Sequence, residues 1–105
     1  MGHVIWTNPA LIDVAEIRDF IARDSVRYAD QMSERLVQST RGLARSPRSG
    51  GRVPEFDADT LREIIVRPYR VIYEIRDDAC VVLAVIHGSR DLPRAFRWSD
   101  ESDGN

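Results

Sequence analysis

Hydrophobic and polar positions along the chain change period once. In the first half, apolar side chains recur at helical spacing; from Leu61 onward they alternate. Residues 3–6, HVIW, read as a short strand. In TNPALIDVAEIRDFIARD, Ala10, Val14, Ile17 and Ile21 fall on one helical face. Thr7 or Asn8 can cap the first turn, and Pro9 suits the first helical position, where no N–H is needed. Asp24 or Ser25 can start a second helix. Ala29, Met32, Leu36 and Leu43 continue its stripe, and Pro47 lies just past its expected end. So short a join predicts an antiparallel helical hairpin.

The segment SPRSGGRVPEFDAD is rich in Ser, Pro and Gly and reads as a loop. LREIIVRP, YRVIYEIR and ACVVLAVIH follow as strands. Arg67-Pro68 and Asp77-Asp78 separate them, and separators that short predict an antiparallel meander. The expected fold is therefore α+β, in the order β-α-α-β-β-β, with a helical hairpin on a small, mainly antiparallel sheet. Residues 1–98 form a single domain in this reading, and the acidic tail 99–105, SDESDGN, is expected to be disordered.

Alternation assigns faces to the sheet. Tyr69, Val71, Tyr73 and Ile75, with Cys80, Val82, Ala84 and Ile86 opposite, make a core under the helices. The other face mixes Arg70, Ile72, Glu74, Arg76 and His87 with Val81, Leu83 and Val85. An even-length turn at Asp77-Asp78 brings Arg70 and His87 together on that face. Two helices cover only one side of a sheet. The second face is then either a partner-binding groove or the seat of a C-terminal segment carrying Phe96 and Trp98.

Composition narrows the function. The chain has 105 residues, ordinary globular proportions and a formal net charge of -2. All 15 basic residues are arginine, yet the balance lacks the basic excess typical of proteins that grip RNA or DNA. No apolar run reaches the length of a membrane span, and no signal-peptide pattern opens the chain, so a cytoplasmic location is expected. Cys80 sits in an apolar run and reads as a buried thiol.

Candidate chemistry centres on VIHGSRD. His87, Ser89 and Asp91 are the residue types of a hydrolase triad. Neighbours two apart on one extended segment do not converge in series, so a triad is not expected. His3 and His87 are the only histidines, and neither has a ligand cluster around it, so no metal or other cofactor is expected. A histidine beside arginines is nevertheless a general base next to phosphate-stabilising groups. Arg70, His87 and Arg90 are therefore the candidates for RNA cleavage.

GRVPEF, LREIIVRPYRVIYEI and VLAVIHGSRDL, following NPALIDVAEIRDFIARD, resemble the RelE/ParE superfamily of bacterial toxins over about residues 4–96. The resemblance implies the toxin half of a type II toxin–antitoxin pair. A cognate antitoxin of ribbon-helix-helix type would neutralise it, and operator DNA would be met only through that antitoxin. RelE-like members cut messenger RNA on the ribosome, whereas ParE-like members poison DNA gyrase. The RelE-like pattern places basic residues on the first meander strand, an arginine at the YR position, another after the last strand, and then an aromatic hydroxyl. Arg70 and Arg90 match the arginines. Leu61 and Glu63 fall where the basic pair should be, and Phe96 falls where the hydroxyl should be. This mismatch favours the ParE branch and action by protein contact. Ile72, Glu74, Arg76, Leu83, Val85, Phe96 and Trp98 are then the partner-binding candidates.

Overall fold

The computed structural model describes residues 2–98, so the expectation for the acidic tail falls outside the described residues. The elements are β1 (His3–Trp6), α1 (Asn8–Ala22), α2 (Val26–Gln38), a 3-10 turn (Arg41–Ala44), β2 (Gly51–Arg52), β3 (Leu61–Val66), β4 (Tyr69–Arg76) and β5 (Ala79–His87). The strands form one sheet in the order β1-β5-β4-β3-β2. β1 runs parallel to β5, and every other pairing is antiparallel. This is the α+β hairpin-on-sheet architecture anticipated from the period change. β2, two residues long, is an addition inside the segment read as a loop.

Side-chain hydroxyls punctuate the first half. Thr7 Oγ1 accepts from Ala10 N–H at 3.3 Å and donates to Val82 O at 2.8 Å. One residue thus ends the β1–β5 pairing and caps α1. Ser25 caps α2 by accepting from Tyr28 N–H. α2 stops at Gln38, short of the expected end near Leu43. There, Ser39 Oγ donates to Leu36 O and Thr40 Oγ1 donates to Val37 O, which offers the last carbonyls an alternative to another helical turn. Leu43 still reaches the core, from the 3-10 turn.

The register of β4 against β5 corrects the face assignment. Arg76 pairs with Ala79, as the short turn at Asp77-Asp78 requires, and Asp77 adopts φ 45° there, a region aspartate tolerates better than most residues. The ladder then slips between Ile72 and Tyr73, leaving Leu83 as an extra residue on β5. A bulge of this kind inverts side-chain alternation beyond it. Val85 pairs with Val71 and His87 with Tyr69, so both lie on the helix face. Ala84 and Ile86 move to the opposite face beside Ile72 and Arg70. Arg70 and His87 therefore lie on opposite faces, against the expectation.

Each face has its own core. Under the hairpin, Met32, Leu36 and Leu43 meet Val71, Tyr73, Val82 and Val85. On the other face, Ile72, Leu61, Val53 and Leu92 form a second cluster, covered by Phe56, Phe96 and Trp98. Phe56 and Trp98 meet edge to face with ring centroids 4.5 Å apart. Of the two readings left open for this face, the C-terminal segment is the cover that the structure shows. Among the described residues, no helix is long and apolar enough to cross a membrane.

Tyr73 joins the sheet to the long connection before β3. Its hydroxyl donates to Pro47 O at 2.7 Å and accepts from Gly50 N–H at 3.0 Å. A Cβ on Gly50 would lie 2.5 Å from Glu63 O, so only glycine fits beneath that strand. Tyr73→Phe leaves a buried donor and a carbonyl without this partner. It is expected to lower the unfolding free energy by about 1–3 kcal/mol. Urea denaturation checks this, and an unchanged midpoint would refute the role assigned to the hydroxyl.

Candidate functional site

Arg70 projects from β4 into a cleft of about 670 Å³, bounded by the β3–β4 turn, the loop before β3 and the turn after β5. Its side chain is only 7% exposed. Glu55, in the loop before β3, engages the guanidinium in a two-pronged ion pair, with Nη1–Oε2 and Nη2–Oε1 both at 2.7 Å. Glu63 on β3 accepts from Nε at 2.7 Å. Nη1 also donates to Arg90 O at 2.9 Å. Four of the five guanidinium N–H groups are thereby engaged. Glu55 closes the arrangement by accepting from Leu92 N–H at 2.8 Å.

The electrostatics follow from this geometry. The hydrogen bonds from Arg70 hold the Glu55 carboxyl down at about 2, against the opposing effect of burial. The two carboxylates push the Arg70 guanidinium above its ordinary range, Glu55 being the larger influence. Arg70, Glu55 and Glu63 together carry one net negative charge. A phosphate arriving here would meet a guanidinium already satisfied by carboxylates.

Of the other two ribonuclease candidates, His87 lines the same cleft as Arg70 but enters it from the opposite face of the sheet, and Arg90 meets Arg70 through its backbone carbonyl. His87, on the helix face, stands edge-on to Tyr69 with centroids 5.8 Å apart. Its Nδ1 accepts from Ser89 N–H at 3.1 Å and lies 2.8 Å from Ser89 Oγ, so in the neutral ring the proton is on Nε2. This contact closes the turn after β5. Arg90 gives its backbone carbonyl to Arg70 and lines a separate cleft beside α1. Asp91 lines the first cleft but makes no triad with His87 and Ser89. Among the described residues, no group of three or more His, Cys, Asp or Glu side chains could hold a metal ion.

The partner-binding candidates are also dispersed. Ile72 and Glu74 are buried, Glu74 accepting from Arg76 Nε at 2.8 Å. Val85 is buried under the helices. Leu83, Phe96 and Trp98 are half-buried in the second cluster, and Arg76 is exposed. Glu55 and Asp13 were missed from sequence. Asp13 Oδ2 accepts from Val85 N–H at 2.9 Å, on the edge of β5 that β1 leaves free. Burial raises the Asp13 carboxyl, an effect larger than the opposing hydrogen bond from Val85. Neither residue carries a local signal, because each finds its partner only after distant segments meet.

Residues 4–92 match the family model described as the ParE toxin of the type II toxin–antitoxin system parDE. The chain is 34% identical over 91 residues to Toxin RelE2 of Caulobacter vibrioides, covering 86% of this chain and 99% of that protein. It is 28% identical over 93 residues to Toxin ParE3 of the same organism, covering 88% and 92%. A structure titled as a chromosomal ParDE TA system from P. aeruginosa superposes with a TM-score of 0.70 at 17% identity, over 83% of this chain and 96% of that one.

The Arg70 cluster makes two expectations measurable. Arg70→Ala strands two poorly exposed carboxylates and is expected to cost about 3–5 kcal/mol of stability, read by urea denaturation. A loss no larger than that of a typical surface substitution would contradict the structural role. For pH, Glu55 is depressed in the folded state, so its contribution is present above its ordinary value of 4.5 and is lost as pH falls toward about 2. Across that window, the stability of the native chain should fall more steeply than that of Glu55→Gln. Parallel curves would show that Glu55 carries no such linkage.

Proposed function

The chain belongs to the ParE toxin family of type II toxin–antitoxin systems, and from that premise we propose that it acts by protein contact, inhibiting DNA gyrase. Its cognate antitoxin, of ribbon-helix-helix type, relieves the inhibition. Operator DNA is reached only through that antitoxin. The observation that carries this reading is the state of Arg70. An arginine that stabilises a cleaved phosphate needs free donors and a positive surrounding. Arg70 instead serves Glu55, Glu63 and the Arg90 carbonyl.

Two further observations point the same way. Phe96 offers no hydroxyl where the RelE-like pattern has one, and it is half-buried against Phe56. The formal charge of -2 works against entry into a site walled by ribosomal RNA. In this reading Arg70 and the His87–Ser89 turn shape the end of the sheet and do no chemistry.

Purified chain should block supercoiling by gyrase, and the block should be relieved by the antitoxin encoded beside it. Translated messages should remain intact by primer extension after induction of the chain alone. Codon-positioned cuts with unimpaired supercoiling would establish the alternative, a ribosome-dependent endoribonuclease, and return Arg70, His87 and Arg90 to the catalytic list.

A further inference from the structure

The helical hairpin leaves part of the sheet end uncovered. A cleft of about 340 Å³ opens between α1 and the ends of β4 and β5. Asp13, Glu16 and Phe20 form its α1 wall, and Tyr69 and His87 form the wall across from them. Phe20 is 64% exposed, an unusual setting for a phenylalanine. The two carboxylates stand three residues apart on one helix, and Glu16 adds to the raising of the Asp13 carboxyl by burial. Arg90 lines the same cleft, yet among the described residues neither carboxylate has an ion-pair partner within 4.0 Å.

We propose that this cleft receives an arginine side chain presented by a partner protein. The charge on the α1 wall is complementary to a cation. A flat guanidinium suits the rest, since it can bridge carboxylates through its forked N–H groups while its face lies on an aromatic ring. The Phe20 ring holds such a group within this chain, the Arg23 guanidinium sitting 5.8 Å from its centroid, so the partner's arginine takes the opposite face or displaces Arg23. Lysine would supply the charge without the planar face. The inference rests on membership of a family that meets partner proteins, and not on gyrase being the target. Intact supercoiling would overturn the gyrase reading and leave the cleft untouched.

The test is a titration of the 15N-labelled full chain with N-acetyl-Leu-Arg-Leu-amide and with its citrulline counterpart, which keeps the shape and loses the charge. Saturable amide shifts are expected at Glu16, Phe20, Tyr69 and His87, with the arginine peptide bound roughly tenfold more tightly. The combined variant Asp13→Asn, Glu16→Gln should erase that preference. Asparagine keeps an oxygen for Val85 N–H. Should the pair of changes disturb folding, Glu16→Gln alone changes an exposed side chain and should still weaken the preference. Equal binding of both peptides, shifts at other residues, or no saturable shift would each overturn the proposal. So would shifts at these residues that grow with protein concentration before any peptide is added, because a second copy of the chain would then be the occupant.

Discussion

The guanidinium of Arg70 is the point at which four separate segments meet. It belongs to β4, binds Glu63 on β3, Glu55 in the preceding loop, and the Arg90 carbonyl in the turn after β5. Glu55 extends the link to Leu92, whose side chain enters the second core. The loops are thus tied to the sheet by charge-assisted hydrogen bonds, in addition to the apolar side chains that they send into the second core. Such a cluster is costly to break from one side only, because each remaining charge would be left poorly solvated. The fixed loops in turn place Phe56 near Phe96 and Trp98 and allow the aromatic cover of the second face to form.

One extra residue does nearly as much for the other face. The bulge at Leu83 turns Val85 inward toward the hairpin and sends Ile86 outward beside Arg70. Val85 N–H, on the edge beyond the end of β1, is met by Asp13 of α1. The part of β5 that β1 does not reach is thereby protected by a helix side chain, which limits unwanted edge pairing. The same change brings His87 to Tyr69, so the end of the sheet is aromatic on the helix side and ionic on the other.

These two constraints define what the molecule offers to others. The conspicuous polar residues of VIHGSRD are used to end β5 and anchor its turn. At this end of the sheet, two clefts remain accessible, both bordered by Tyr69 and His87. The principal arginine of the site is internally neutralised, which is the observation behind the proposal of action by protein contact. In the α1 cleft, Asp13 and Glu16 lack an ion-pair partner among the described residues and stand beside the exposed Phe20 ring, the features from which arginine binding is proposed.

Local patterning determined the elements of this protein: helical spacing around Val14 and Met32, caps narrowed to Thr7 or Asn8 and to Asp24 or Ser25, and alternation through β3, β4 and β5 were all legible, and the structure uses Thr7 and Ser25. So were the hairpin, the meander and the family. These features depend on neighbours within a few residues, which is the range over which sequence period reports. The end of α2 was misplaced because Ser39 and Thr40 compete for its carbonyls. The site was less legible. Arg70 was recognisable as a key residue, but its partner Glu55 is fifteen positions away in a segment with no periodic signal. The bulge was invisible because ACVVLAVIH is apolar at nearly every position, so either register buries hydrophobic residues on both faces. Only the packed structure, by weighing Val85 against Ile86 under the helices and supplying Asp13 to the freed N–H, decided which residues share a surface.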